Sequence, residues 1–415
     1  MTGIAETKAE KQGRERVVDV VARCLSASVL IALIFATFRI FHGATVPFLA
    51  FSLAGAPLIQ FSYRRQIWSS LLTFMNAILL FGAYVWSGGM PGQYSGAGMV
   101  GALAFLGLSS MLTLGLQAFQ RTEALRPLLL ASFCPLLMIV TNFALYASIA
   151  LQPQIFDLYL YKFDALLGGQ ASFIAGQWFV AAPALQQVCF LVYASLPLAE
   201  VVVLWLYWNG QRMPANPLVA FVVAGAAGFL LYQICPAMGP VHVFPQDFPQ
   251  HAPAALPPHA IVLNSAPRNA MPSLHTAWAI LIWWSLRFSR RWIRAAAVAF
   301  LALTLMATLG FGEHYLIDLV VAVPFTIAVQ AASTRQFATA AGWIGLTVAW
   351  CAYLRWWLPA LPISGSAAWI LVFGTVAIPA TLHRLSRTLR CRPLPSPHSA
   401  TSARTGPARL PHQIV

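Results

Sequence analysis

The chain has 415 residues, of which 59% are hydrophobic and 9% charged, whereas a soluble domain carries roughly 25% charged residues. That balance excludes an ordinary soluble fold and points to a polytopic membrane protein. The formal net charge is +14; no nucleic-acid motif accompanies it, so no nucleic-acid partner is expected and the basic excess reads as topology signal.

In chain order, a charged leader over 1–22 reads as a cytoplasmic tail. A spanning helix needs about 20 mostly apolar residues. Candidates fall near 24–42, 46–63, 67–87, 97–118, 126–151, 187–208, 217–235, 272–286, 292–311, 315–333, 338–357 and 366–382. The expected fold is an all-α transmembrane bundle of about twelve spans. A four-helix region covers 23–125, a core 126–335, and two further helices 336–383. The Pro-, Ser- and Arg-rich tail 384–415 is expected to be disordered and cytoplasmic.

Charge placement orients this arrangement. With twelve spans and both termini inside, only Arg39, Lys162, Arg268 and Arg355 of the 25 basic residues fall outside. Lys and Arg collect on the cytoplasmic side. A multi-pass protein of the cell (inner) membrane is expected. The six cysteines are scattered without a CxxC pair, so neither a disulfide framework nor a zinc site is expected.

Two regions between the spans carry polar groups. Residues 152–186 mix Asp157, Lys162 and Asp164 with aromatic residues and read as amphipathic helices at the outer interface. There they could form a lid or lipid gateway, with Lys162 and Asp164 as headgroup contacts, or a plain aromatic belt. Glu200 lies inside an apolar run, where an ionisable group is costly and has a partner or a job.

The chemistry concentrates in two short stretches. "AMPSLHTAW", Ala270 to Trp278, puts His275 at the head of one apolar run, and "GEHYLIDLV" puts His314 and Asp318 at the head of another. On this topology both runs enter from the outer side, so the three residues share one membrane face. Residues four apart share a helical face. Asp318 can therefore hold one ring nitrogen of His314 and leave the other as a nucleophile or base. His275 can serve as general acid. Pro272 suits a first helical position, which would leave the Ser273 and Leu274 N–H groups as an anion site. Two histidines and an aspartate could also ligate a metal, and each could be merely structural. Glu313 and His242 are further pocket candidates; His251 and His259 read as solvated loop residues.

"PSLH" followed by "HYLID" resembles the signature of the type 2 phosphatidic acid phosphatase superfamily. The closer resemblance is to its branch containing inositol phosphorylceramide synthases, which also carries a Gly-Pro segment like "CPAMGPVHVFP", Cys235 to Pro245. The resemblance covers about 150 to 335 and implies a six-helix catalytic core. It assigns His314 as the nucleophile on phosphorus, Asp318 as its orienting partner and His275 as the acid for the leaving group. No cofactor or metal is implied.

Departures from the phosphatase pattern qualify the substrate. Ala307-Thr308 stands where a Ser-Arg pair is usual, and no first motif with its Lys and Arg-Pro is found. Arg268, on the outer side, is the expected substitute phosphate ligand, with Ser273 and Leu274. The expectation is a lipid phosphatase or phosphotransferase acting at the periplasmic face on a lipid bearing a phosphate, diphosphate or phosphodiester. The acceptor is water or an alcohol. The competing class is a twelve-helix transporter or lipid flippase, although transporters place polar sites near the midplane.

Overall fold

In the computed structural model the described residues are 8–40, 46–63, 67–88, 97–254, 256–358 and 363–385; within them, side chains are described from 17 to 34 and again up to 378. The tail expected to be disordered lies almost wholly outside these residues. The regular structure of the described chain is helical apart from one antiparallel pair of two-residue strands. Strand β1 (Gln154–Ile155) pairs with β2 (Ile261–Val262), Gln154 opposite Val262.

Helix α1 (Lys8–Ile40) begins well inside the charged leader that was read as a tail. Next come α2 (Val46–Ala54), α3 (Ala56–Tyr63), α4 (Ile67–Trp86), α5 (Ala97–Gln120) and α6 (Leu125–Leu151). Apolar length without polar interruption makes these helices in lipid, where each backbone group must be satisfied internally. Burial then separates them. Only 11% of the α4 span is buried, against 61% of α5, so α4 turns its Ile, Leu and Trp side chains outward.

The polypeptide continues through α7 (Asp157–Leu166), α8 (Ala171–Ala181), α9 (Pro183–Ala194), α10 (Leu196–Trp208) and α11 (Pro217–Ile234). A single turn, α12 (Pro240–Val243), and a long loop lead to α13 (Leu274–Ser285), α14 (Arg291–Gly310), α15 (Leu316–Ser333), α16 (Phe337–Ala352) and α17 (Gly365–Leu385).

Among the described residues, nine stretches are long and apolar enough to cross a membrane, or ten if α8 and α9, bent by 118°, count as one. Twelve were expected, and three of those runs are not among the nine. The run 187–208 is divided at Ser195, with Pro197 in the first turn of α10. The run 272–286 yields only the 12 residues of α13, about 18 Å of helix against a hydrocarbon core of about 30 Å. The third expected run, 366–382, lies in α17, whose 21 residues extend past the last described side chain at 378, so its full length does not enter that count.

One continuous core joins the N-terminal helices to those carrying the histidines. Leu49 and Leu53 of α2, Met111 and Leu114 of α5, Val201 and Val203 of α10, Phe221 of α11 and Leu281 of α13 belong to it. A second cluster sits over the starts of α13 and α15. It contains Leu160 and Phe163 of α7, Cys235, Ala237, Ala270, Met271, Tyr315 and Ile317. Helix α7 is therefore not an interfacial helix laid on lipid, as its mixed composition suggested. Six of its ten residues, including both aspartates, are buried. The aromatic stretch of α8 keeps an outward side, with Ile174, Trp178 and Val180 exposed.

Candidate active site

The start of α15 explains why His314 is held still. A helix begins with backbone N–H groups that lack intrahelical partners. Two carboxylates supply them here. Asp318 Oδ2 accepts from the Tyr315 N–H at 2.8 Å, and Asp164, from α7, accepts from Leu316 at 2.7 Å and Ile317 at 3.1 Å. Ser172 Oγ donates to the His314 carbonyl oxygen at 2.8 Å. His314 thus sits on the last non-helical residue but one before a fully capped helix, with its backbone pinned from α8.

Its ring is equally constrained. His314 Nδ1 lies 2.9 Å from the Ala270 carbonyl oxygen and 3.5 Å from Asp318 Oδ2. Both neighbours are acceptors, so Nδ1 carries the proton and Nε2 keeps its lone pair. The carbonyl is the nearer partner, with the carboxylate adding charge. The ring is buried, as is Asp318.

The second histidine faces the first. His275, in the first turn of α13, has its ring centroid 6.3 Å from that of His314. Tyr193 of α9 stacks on it at 4.1 Å, with its hydroxyl 3.4 Å from His275 Nδ1. Phe48 of α2 meets it edge-on at 6.0 Å. The Ser273 N–H donates to the Asp318 carbonyl oxygen at 3.3 Å, which ties the start of α13 to α15. The expected three residues are brought together.

The segment Cys235–Pro245 forms the floor beside them. Asp157 accepts from the Met238 and Gly239 N–H groups, the latter at 2.8 Å. Gly239 has φ +101°, and a Cβ there would overlap the Glu313 carbonyl. Gly312, also left-handed at φ +70°, takes a 3.0 Å bond from the Val241 N–H. Two glycines are needed where these backbones touch. At this edge His242 Nε2 stands 3.4 Å from Glu313 Oε2, each side chain about 30% exposed. Burial opposes charge on His242, but its hydrogen bond and proximity to Glu313 prevail and raise its pKa.

Several expected ligands have other occupations. Arg268 is fully buried and spends its donors on the protein itself. Nε donates to Gln152 O at 2.8 Å; the two Nη groups reach the carbonyls of Leu263, Ala266 and Pro153, the Asn264 side chain and Met238 Sδ. It staples the 263–268 loop to the end of α6 and offers no fork to a phosphate. Ser273 is the N-cap of α13, its hydroxyl accepting from Thr276 N–H at 3.3 Å. Its own N–H is taken by Asp318, so it is not an anion donor. Leu274 opens the helix two residues later than expected and packs its side chain over Gly228 of α11. Asp164 is a cap, not a headgroup contact, while Lys162 is half-buried on the same helix. Glu200 is buried, accepting from the Cys134 thiol across helices at 3.7 Å. Sequence reasoning missed Ser172, Tyr193, Phe48 and the Ala270 carbonyl; nothing in an apolar run marks such residues.

Among the described residues no group of three or more His, Cys, Asp and Glu side chains is arranged to hold a metal ion. Residues 158–332 match the family model described as the PAP2 superfamily. The matched segment runs from α7 to the end of α15 and includes both histidines, Asp318 and Asp164. No curated protein and no solved structure matched the chain. The superfamily comprises phosphatases and phosphotransferases, so the match supports an enzyme acting on a phosphorylated substrate, here within a multi-pass helical membrane protein.

Proposed function

We propose that the protein is a membrane phosphotransfer enzyme that works through a phosphohistidine on a phosphate-bearing lipid, in the manner its resemblance to inositol phosphorylceramide synthases implies. The observation that carries this reading is the His314 ring. Its Nδ1 is fixed between the Ala270 carbonyl and Asp318, and His275 stands across from it. Nε2 attacks phosphorus as the bond from phosphorus to the leaving oxygen breaks, and His275 passes that oxygen a proton. Asp318 and the carbonyl offset the positive charge that forms on His314. Water or an alcohol, deprotonated by His275, then attacks the phosphohistidine and frees the ring. Tyr193 and Phe48 fix the plane of His275, and His242 at the exposed edge meets the headgroup phosphate.

Orientation follows from the same helices. Arg287 and Arg290 lie between α13 and α14, Arg291 and Arg294 in the first turn of α14, and Arg335 just after α15. These are the ends opposite His275 and His314. Basic residues mark the cytoplasmic side, so the site belongs to the extracytoplasmic face.

The test is isotopic trapping. Purified protein is mixed with a lipid phosphate labelled on phosphorus and quenched in alkali, which preserves a phosphohistidine. Label should reside on the peptide containing His314 and be missing in His314→Ala. Steady turnover by the wild-type protein with no trapped label under rapid quench would refute the covalent route. Mass spectra of the products, with and without inositol, separate transfer to an alcohol from hydrolysis.

A further inference from the structure

The other ends of α13 and α14 carry a second feature, independent of the reaction above and resting only on the orientation proposed there. A groove of about 580 Å³ opens there, lined by Trp283, Arg287, Arg291, Arg294, Val298 and Ala299, with Ala302 further along. Residues 291, 294, 298 and 302 recur at helical spacing, so they form one stripe along α14. At its head stand arginines; below them the side chains are small and apolar, which leaves the groove open. Trp283 of α13 walls the other side, and it, Arg291, Arg294, Val298 and Ala299 are exposed. Arg287 lies over the Trp284 and Phe288 rings at 5.3 and 4.8 Å.

The charge placement runs against the helix dipole. Arg290 is the N-cap of α14, and Arg291 and Arg294 fall in its first turn. The positive end of a helix dipole disfavours cations there, by roughly 0.3–1 kcal/mol each. An anion placed among these arginines reverses the sign of that interaction and meets the unpartnered N–H groups of the first turn. Stable apolar contact along Val298, Ala299 and Ala302 calls for a chain attached to that anion.

We infer that this groove binds an anionic phospholipid of the inner leaflet, its phosphate held by Arg287, Arg291 and Arg294 and one acyl chain lying along α14 against Trp283. A purely topological role for the arginines predicts attraction to any negative surface and no retained molecule.

Native mass spectrometry of the full chain, delipidated and then supplied with phosphatidylglycerol or phosphatidylcholine at equal mole fraction, distinguishes these. The wild-type protein should retain phosphatidylglycerol at least fivefold over phosphatidylcholine. The triple variant Arg287→Gln, Arg291→Gln, Arg294→Gln should lose that preference. Ala299→Trp, which fills the groove and keeps every charge, should lose it too, so a folding failure of the triple variant alone does not decide the matter. Glycerol phosphate, which has the anion and no acyl chain, should not displace the lipid. Equal retention of both lipids by the wild-type protein, full retention by Ala299→Trp, or displacement by glycerol phosphate would each overturn the proposal.

Discussion

Two polar clusters lie near each other at one end of the bundle, and they are built to opposite ends. Around Arg268, the guanidinium donors meet the carbonyls of Gln152, Pro153, Leu263 and Ala266, the Asn264 side chain and Met238. Around His314, Nδ1 is held by Ala270 and Asp318, while Nε2 is left for chemistry. Both clusters are buried, and both look functional in the sequence. What separates them is spare valence. A polar group whose hydrogen-bonding capacity is filled by the protein holds the fold together, and one with a lone pair left over in a confined space can react.

The sharpest way to break this comparison is to exchange expected phenotypes. His314→Ala should cut turnover by at least about 10⁴-fold, the scale seen when a nucleophile is removed, with little change in thermal stability. Detergent-solubilised protein, assayed for phosphate release and followed by a melting curve, gives both readouts. A variant with more than a tenth of wild-type kcat would move His314 into the structural class.

Arg268→Gln should behave in reverse. Several buried carbonyls lose their donors at once, at about 1–3 kcal/mol for each group left unsatisfied. A fall in stability on the order of 3 kcal/mol or more is expected, with kcat of the folded fraction within about threefold of wild type. Loss of kcat at unchanged Tm would restore Arg268 as a phosphate ligand.

Asp164 sharpens the contrast, because it is a scaffold residue that touches the reactive helix. Asp164→Ala removes the cap on Leu316 and Ile317 and should cost about 1–2 kcal/mol. Because α15 carries Asp318, and His314 precedes it, kcat should fall by about tenfold while KM stays level, the pattern of a misplaced reacting group. A raised KM with constant kcat would instead mark Asp164 as a binding residue.

The smallest effect expected is on pH dependence. Burial lifts the Asp157 carboxyl to about 6, partly countered by the Gly239 and Met238 N–H groups, and lifts Asp164 to about 8. An unfolded aspartate titrates near 3.9. Their folded forms therefore hold protons more tightly, so this contribution to stability is complete below about pH 4 and is lost as pH rises through about 6 for Asp157 and about 8 for Asp164. His242, also raised, acts in the same direction. Tm should decline between pH 5 and 9, and less so in Asp164→Asn. A Tm that climbs over this range would show both carboxyls ionised in the fold.

How far the sequence foretold this depends on where each partner lies. His314 and Asp318 are four residues apart, so their pairing was legible from helical spacing alone. The proximity of His275 followed from helix order. Arg268 was misread because sequence shows that a cation is present, not whether its donors are already taken. Asp164 was misread because its partners lie some 150 residues downstream. Tyr193 and Phe48 sit in apolar runs where aromatic residues read as core. The run 272–286 gives a helix of only 12 residues because Ser273 caps it just after Pro272, and cap positions are the least legible part of an apolar stretch.

Phe48 has a further consequence. It arrives from α2, far outside residues 158–332, yet it borders His275 at 6.0 Å and Tyr193 at 5.6 Å. Helix α2 in turn shares its core with α5 and α10. The reactive chamber is therefore a joint product of two parts of the gene. A fragment trimmed to the recognisable segment would lose one wall of that chamber and lay bare the apolar seam beneath it. Grafting this segment onto another membrane scaffold would have to carry α2 along, or supply an aromatic ring where Phe48 now stands.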